Sequence, residues 1–368
     1  MKTNIFRLKD ILINYDYLRK PLSSIERENF QGEYPYYGAQ GIIDYVKDYL
    51  CDGTYMLIAE DGENLSSRKA PIVNIATGKF WVNNHAHIVK INENANFRYI
   101  YYLLNYSDIN GYVTGSAQPK LSQGNLNKIK IELPDISIQQ KIANILSRYD
   151  EAIENNNKRI KLLEQMAQNL YKEWFVRFRF PGWENCEFEN GIPKGWNQGR
   201  FSELFEFKRG KNITADEMIE GEVPVISAGI SPSGYHIEAN VKGTSLTISS
   251  SGANAGYLSI HYEDIWAADC MFITEENTKN IYYLYELLNN IRPVILNQQR
   301  GAAQPHVYSK DINNLRLWIP NEELRENANR LFESFHKEIY QLQRANQNLV
   351  KQRDLLLPRL MSGKLDVR

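Results

Sequence analysis

The sequence predicts an α+β protein in which a globular module followed by a long helix occurs twice. The first observation is an internal repeat: Gly115-Ser116-Ala117-Gln118-Pro119-Lys120 returns 186 residues later as Gly301-Ala302-Ala303-Gln304-Pro305-His306. The second is a long segment without Pro or Gly after the first copy, and the third is a set of short apolar runs before each copy. N-terminal to this motif, the two copies also match at Pro35 and Pro224, at Gly62 and Gly252, and at residues 80–85 and 264–269.

The apolar runs are broken by Gly, Asn and Asp, which is typical of β-strands separated by turns. The predicted strands include 55–59, 72–75, 87–91 and 245–249. A short helix is expected at 97–104 and, in the second copy, at 280–288. Each module is therefore predicted to mix strands and helices around its own core.

The segment 137–174 and its copy carry apolar residues at alternating spacings of four and three, which is the seam of a coiled coil. Pro358 is expected to end the second helix. If the helices run antiparallel, Asn156 and Asn346 come close and fix the register; alternatively, each faces solvent at the seam edge. The predicted seam residues are Ile142, Leu146, Tyr149, Ile153, Asn156, Ile160, Leu163, Leu170, Phe332, Phe335, Ile339, Leu342, Asn346 and Leu349.

Length and composition favour two domains that each bury a core, in a chain of 368 residues with net charge −1. No apolar run approaches the roughly 18 residues of a membrane span, and the first residues lack a signal peptide's apolar stretch, so we expect no membrane contact and a cytoplasmic location. Cys51, Cys186 and Cys270 are too few and too scattered for a disulfide framework or a zinc site. We expect buried thiols.

The charge distribution is unusual for a protein that binds nucleic acid alone. Residues 1–134 carry 15 Lys+Arg against 14 Asp+Glu, whereas residues 185–320 carry 11 against 16. If the second module binds DNA, its cations must cluster on one face, or a more basic partner must supply the affinity for phosphates.

Catalytic motifs are absent from the sequence: it contains no dinucleotide-binding glycine motif, P-loop, zinc-protease motif or nucleophile elbow. The pair His85-x-His87 has a spacing that suits a metal on a strand, but no cysteine or carboxylate cluster completes a ligand set. We therefore predict no catalytic residues and no metal site.

Polar loops hold the candidate DNA-contacting residues, because recognition usually lies on loops of a rigid scaffold. The loop 60–69 mixes amides, hydroxyls and two cations, which suits base edges and phosphates but also describes a solvated surface loop. The loop 249–256 takes its place in the second copy with different side chains. The candidates are Tyr36, Tyr37, Gln40, Asn64, Ser66, Arg68, Lys69, Asn83, His85, Gln118, Lys120, Gln123, Ser231, Ser250, Asn254, Gln299, Arg300, Gln304, His306, Tyr308 and Lys310.

The shared Gln-Pro motif has two interpretations. The amides of Gln118 and Gln304 suit contacts with adenine, and Lys120 suits guanine or phosphate. Because otherwise different modules share the motif, a common structural or phosphate-binding role is the alternative. Gln299 and Arg300, just before the second copy, are better candidates for specific contacts.

Several passages together resemble the specificity subunits of type I restriction-modification systems, and the resemblance covers nearly the whole chain. The passage from Leu133-Pro134 through Ile138-Gln139-Gln140-Lys141 to Asp150-Glu151-Ala152 resembles the family's central helix. The passages 170–178, 192–196 and 356–365 resemble its exit, the entry to the second recognition domain and the C-terminus.

The resemblance implies two target-recognition domains, 1–134 and 185–320, followed by helices at 135–180 and 321–368 that form an antiparallel coiled coil with pseudo-two-fold symmetry. It implies that the chain reads a bipartite, asymmetric double-stranded DNA target and docks two modification subunits and, with them, restriction subunits. S-adenosylmethionine, ATP and Mg would be bound by those partners, and no cofactor by this chain. The alternative is a coiled-coil scaffold with two ligand- or protein-binding modules, which explains the repeat but not these passages.

Overall fold

A computed structural model describes residues 3–115, 118–301 and 304–367 of the chain. Ser116, Ala117, Ala302 and Ala303 of the repeated motif lie outside the described residues. The chain folds as two compact units: unit 1 comprises Met1–Glu154 and Asn346–Arg368, and unit 2 comprises Asn155–Ala345. Each of the two long helices therefore contributes residues to both units.

The first half of the chain alternates strands with short helices and ends in a long one. The strands are β1 Thr3–Arg7, β2 Leu12–Asn14, β3 Gln31–Gly38, β4 Gly41–Val46, β5 Cys51–Ala59, β6 Val73–Val82, β7 Ala86–Ile91 and β8 Lys130–Pro134. The helices are α1 Ser24–Glu28, α2 Asn64–Ser67, α3 Phe97–Tyr106, α4 Gln123–Lys128 and α5 Ile136–Tyr171. A π-helical turn, Lys172–Val176, continues α5.

The second half has the same order of long elements with shorter strands. The strands are β9 Phe188–Glu189, β10 Ile192–Pro193, β11 Asn197–Arg200, β12 Lys208–Arg209, β13 Val223–Ile226, β14 Gly234–His236, β15 Ser245–Ser249, β16 Leu258–His261, β17 Trp266–Ala267, β18 Cys270–Thr274 and β19 Arg316–Ile319. The helices are α6 Ile281–Asn290, α7 Arg292–Leu296, α8 Ser309–Asn313 and α9 Glu322–Met361.

Unit 1 is built on a six-stranded sheet with the order β2-β7-β5-β6-β3-β4, and β1 pairs with β8 beside it. The second part of β5, residues 55–59, is buried on both faces, as its continuous apolar run predicts. Its side chains Met56 and Ile58 pack in the core that includes α3 and the ends of both long helices. Its side chains Tyr55 and Leu57 pack in a second core on the opposite face.

Unit 2 repeats this topology. Its four-stranded sheet has the order β12-β18-β15-β16, and its three-stranded sheet has the order β14-β13-β17. Strands β16 and β17 together take the place of β6, because Trp81 in β6 pairs in parallel with Tyr36, and Trp266 in β17 pairs in parallel with Val225. Both indole nitrogens donate to a backbone carbonyl, that of Lys20 or Lys211. The predicted fold class, two α+β domains each followed by a long helix, is confirmed.

The long helices pack against each other in an antiparallel sense within each unit. In unit 1, Asp150 of α5 and Arg353 of α9 form an ion pair at 2.7 Å, while Ile142 shares a core with Leu360. In unit 2, Arg159 pairs with Glu338 at 2.5 Å, and Tyr171 contacts Phe332 with ring centroids 6.5 Å apart. In both units, the residue numbers of the contacting pairs rise along α5 and fall along α9, which is the pattern of antiparallel helices.

The predicted seam residues all point at least partly inward. Ile142, Leu146, Phe332, Ile339 and Leu342 are buried. The remaining members are partly buried: Tyr149, Ile153, Asn156, Ile160, Leu163, Leu170, Phe335, Asn346 and Leu349. Asn156 belongs to unit 2 and Asn346 to unit 1, so their pairing stays a prediction.

The prediction that Pro358 ends the second helix is wrong, because α9 continues to Met361. Pro358 removes one hydrogen-bond donor, but it does so in the last turn, where its carbonyl still accepts from the backbone N–H of Ser362. Leu360 and Met361 are buried in the core of unit 1, and this burial favours the extra turn.

The cysteine prediction is correct for two of the three thiols. Cys51 and Cys270 are buried, and burial raises their pKa to about 11 and about 12, so both stay protonated at neutral pH. Cys186 is partly exposed, because it lies in the irregular segment before β9. Among the described residues, no helix is both long enough and apolar enough to cross a membrane.

Candidate nucleic-acid interface

Three segments of unit 1 meet at one end of the sheet and form what we call the first loop cluster: the loop after β5, the turn before β7 and the hairpin 114–120. The backbone N–H of Gly62 donates to the carbonyl of Pro119 at 3.2 Å. The N–H of Glu60 donates to the carbonyl of His85 at 2.9 Å. These hydrogen bonds join backbone atoms only, so they do not depend on which side chains the three segments carry.

The second loop cluster, in unit 2, has the same backbone plan and consists of the loop after β15, the turn before β18 and the hairpin 300–306. Gly252 donates to the carbonyl of Pro305 at 3.0 Å, and Ser250 donates to that of Asp269 at 3.3 Å. Because the hydrogen bonds match, Glu60 and Ser250 occupy equivalent positions in the two clusters. The same holds for His85 and Asp269, and for Lys120 and His306.

The repeated Gln-Pro motif closes the hairpin in each cluster. Residues 114 and 120 exchange two backbone hydrogen bonds, and residues 300 and 306 do the same. Gly115 and Gly301 adopt φ angles of 85° and 96°, which favour glycine. The shared backbone role is therefore structural, while the side chains of Gln118 and Gln304 are exposed and free to meet a ligand.

The side chains of the first loop cluster form a network of charges. Lys120 contacts Glu60 at 3.3 Å, and Arg19 contacts the same carboxylate. Burial opposes the ionisation of Glu60, but the hydrogen bond from Arg19 and the charges of His87 and Arg19 hold its pKa below the ordinary value. The rim of this cluster is therefore polar, with its charges largely paired.

The second loop cluster carries fewer charges and surrounds a cavity of about 340 Å³. Ser250, Gln304, His306 and Tyr308, four of the candidate DNA-contacting residues, line it. Arg209 and Asp269 also line it and were missed by the sequence analysis. Asp269 had a signal, since it aligned with the candidate His85; Arg209 had none, because only the β12–β18 pairing brings it to the loops.

Three candidates are wrong as surface contacts, because the structure buries them. Tyr36 is 1% exposed, and its hydroxyl accepts the N–H of Leu22 beneath the β3 strand. Asn64 is 1% exposed and donates to the carbonyl of Pro71, bracing its own loop. Asn83 is 5% exposed and accepts the N–H of His85, forming the turn before β7. Their polar groups satisfy backbone atoms of the turns.

Other candidates are held by protein contacts. Arg68 donates to the carbonyl of Ser107, and burial lowers its pKa. Gln299 donates to the carbonyl of Ala255 at 2.8 Å, and Arg300 pairs with Asp311 at 2.6 Å.

The remaining candidates differ in exposure. Partly buried are Tyr37, Asn254, Ser250 and His306, whereas His85 has a half-exposed side chain paired with Asp61 at 2.8 Å. Exposed are Gln40, Ser66, Lys69, Gln118, Lys120, Gln123, Ser231, Gln304, Tyr308 and Lys310.

The two histidines of the His85-x-His87 pair do not converge on a metal. His87 is fully buried between Asp16, at 2.7 Å, and the carbonyl of Leu121. His85 instead pairs with Asp61 on the surface. Within the described residues there is no group of three or more metal-binding side chains.

The sequence matches the family of the type I restriction modification DNA specificity domain twice, over residues 2–165 and 193–352. The chain belongs to this family. The family that the sequence motifs predicted is therefore confirmed. Each of the two matches covers one α+β domain and most of the long helix that follows it.

Similar specificity subunits occur in several organisms. The type I restriction enzyme MjaIX specificity subunit of Methanocaldococcus jannaschii is 25% identical over 93% of this chain and 89% of its own length. The putative type I restriction enzyme specificity subunit S.HindORF215P of Haemophilus influenzae is 40% identical over 35% of this chain and 32% of its own. The crystal structure of the S subunit from M. genitalium has the same fold, with a TM-score of 0.64 at 16% identity, covering 98% of this chain and 96% of that one.

Proposed function

We propose that this specificity subunit reads a bipartite, asymmetric sequence in double-stranded DNA, with one half-site for each loop cluster. The observation that supports this proposal is that the two clusters have the same backbone arrangement but different side chains at equivalent positions. Glu60 is replaced by Ser250, His85 by Asp269, and Lys120 by His306. Equal scaffolds with unequal polar side chains suit the reading of two different base sequences.

We further propose a division of labour in which the subunit itself is not catalytic. Two modification subunits would bring S-adenosylmethionine and the methyl-transfer chemistry, and restriction subunits would bring ATP and Mg. Exposed apolar side chains on both long helices support docking there: Leu162 and Met166 on α5 are 58% and 53% exposed, and Leu355 on α9 is 66% exposed. With these partners the protein would act in the cytoplasm.

The charge of the second domain supports a role for those partners in affinity. Residues 185–320 carry 16 acidic against 11 basic residues, so this domain attracts phosphates weakly by itself. Modification subunits that enclose the duplex would supply the missing attraction, while the loop clusters supply base contacts.

A salt-titrated DNA-binding experiment tests this proposal. The full chain is measured with and without a co-expressed methyltransferase subunit, against duplexes from a random library. We expect sequence-selective binding that requires the partner, with two short conserved blocks separated by an unspecified spacer. Failure to bind any duplex with the partner present would contradict the proposal and favour a coiled-coil scaffold for other ligands. Methylome sequencing before and after gene deletion identifies the target itself.

A further inference from the structure

The two loop clusters differ most in the space beneath the loops. Side chains fill this space in the first cluster and leave it open in the second. In the first cluster His87 extends from β7 and is hydrogen-bonded to Asp16, which Arg19 also contacts at 3.3 Å. Arg19 in turn reaches Glu60. These groups occupy the space beneath the loops with mutually paired charges.

The equivalent space in the second cluster is open. Met271 takes the position of His87, because Cys270 and Ala86 pair with the equivalent residues Ser249 and Ala59. Ser250 replaces Glu60 and is too short to reach across. The result is the cavity of about 340 Å³, within the size range of pockets that bind ligands in proteins.

Two groups of opposite charge line this cavity. Arg209 lies directly opposite Met271 in the β12–β18 pairing and is exposed, and in the part of the chain that the structure describes it forms no ion pair. Asp269 accepts a hydrogen bond from the hydroxyl of Ser251 through one carboxylate oxygen. Its other oxygen has no hydrogen-bond partner among the described residues.

This combination points to a base pair and away from a phosphate. A carboxylate lining the cavity repels the phosphate backbone, so an arginine meant only for phosphate would be poorly placed beside it. In the major groove, guanine presents the acceptors O6 and N7, which match a guanidinium, and cytosine presents the N4 donor, which matches a carboxylate.

We propose that Arg209 and Asp269 are specificity-determining residues of the second domain and read one G·C base pair of the second half-site. Arg209 donates to O6 and N7 of guanine, and Asp269 accepts from N4 of cytosine. His306 and Tyr308, whose rings stack with centroids 6.1 Å apart, form the neighbouring wall. The inference rests on the proposed function and assigns one base position to one cavity.

The test compares Arg209→Gln and Asp269→Asn with wild type, each as the full chain in complex with its methyltransferase subunits. Binding is measured on duplexes in which every position of the second half-site is varied in turn. We expect wild type to prefer G·C at one position by about ten- to a hundredfold, and both variants to lose that preference at that same position. Asp269→Asn keeps an acceptor for Ser251, so the loop should retain its fold.

Arg316→Gln is the matched control, because Arg316 is an exposed arginine of the same domain, on β19, outside the cavity. It removes the same charge and should leave every base preference unchanged. Retained selectivity for the first half-site reports that each variant complex is folded and assembled.

Three results would overturn the inference while leaving the proposed function intact. They are an unchanged preference in both variants, an equal loss on all duplexes with Arg209→Gln, which is the signature of a phosphate contact, and a changed preference in the first half-site. If the wild-type complex shows no bipartite preference, the proposed function itself fails.

Discussion

Gly115 and Gly301, one in each Gln-Pro hairpin, adopt the left-handed backbone conformation. A Cβ at Gly301 would also lie 2.6 Å from the carbonyl oxygen of Gln304, and one at Gly115 would crowd that of Gln118. We expect Gly115→Ala to lower the free energy of unfolding by about 1–3 kcal/mol, through strain and this close approach. Chemical denaturation measures the effect.

The matched control for this substitution is Gly124→Ala in α4. Gly124 has open space where a Cβ would point, and its φ is not in the left-handed region. Alanine there should leave stability unchanged or raise it by about 0.4–1 kcal/mol. Equal effects at both glycines would contradict the strain argument.

His261 makes the stability of unit 2 depend on pH. Burial lowers the pKa of its imidazole to about 4, and the ring is hydrogen-bonded to the hydroxyl of Thr247 at 2.8 Å. The unfolded chain, with an ordinary pKa near 6.5, takes up a proton as the pH falls from about 6.5 to about 4, and the folded chain does not. The free energy of unfolding should therefore fall over this range.

The substitution His261→Gln removes this proton uptake. We expect the variant to lose less stability than wild type between about pH 6.5 and about pH 4, by on the order of 2 kcal/mol. Denaturant titrations of both proteins at several pH values give the difference. Parallel pH profiles would show that the imidazole titrates normally in the folded protein.

At the scale of elements, each long helix caps the short helix of the domain beside it. Gln139 of α5 accepts the N–H of Asn96, whose own side chain caps α3. Asn329 of α9 accepts the N–H groups of Tyr282 and Tyr283 at the start of α6, each at 3.0 Å. These amides join helices that are distant in sequence and satisfy buried donors.

Replacing Asn329 by Ala should destabilise unit 2 by about 1–3 kcal/mol, because two buried N–H groups lose their acceptor. Asn329→Asp keeps an acceptor oxygen and should recover part of that loss. Thermal or chemical unfolding of both variants compares them. Equal losses with Ala and Asp would mean that the hydrogen bond donated to the carbonyl of Lys279 matters more than the cap.

At the scale of the whole molecule, we propose that the lengths of α5 and α9 set the spacer between the half-sites. Inserting one heptad into each helix, after Glu154 and after Ala345, preserves the seam period and adds about 10 Å of helix. A duplex rises about 34 Å per turn, so the recognised spacer should lengthen by about three base pairs, with both half-sites unchanged.

Selection from a duplex library measures that spacer. A four-residue insertion into each helix is the control, since it shifts the apolar seam and should impair assembly instead of lengthening the spacer. Altered half-site sequences after the heptad insertion would contradict the modular arrangement.

The sequence by itself determined the repeated α+β-plus-helix plan, the strands at 55–59 and 245–249, and the seam of the long helices. These follow from local periodicity and from two copies of one motif, which need no knowledge of distant contacts. The family could also be predicted from the sequence, because the family's short motifs are present in it in the expected order.

Only the tertiary structure decided which polar residues reach the surface. Tyr36, Asn64 and Asn83 have the composition of contacting residues, yet each is buried because its polar group satisfies a nearby backbone atom. Pro358 stays helical because tertiary burial of Leu360 outweighs one lost hydrogen bond. Arg209 and Asp269 line the same cavity because β12 pairs with β18 across some 60 residues of sequence, an arrangement that no local pattern encodes.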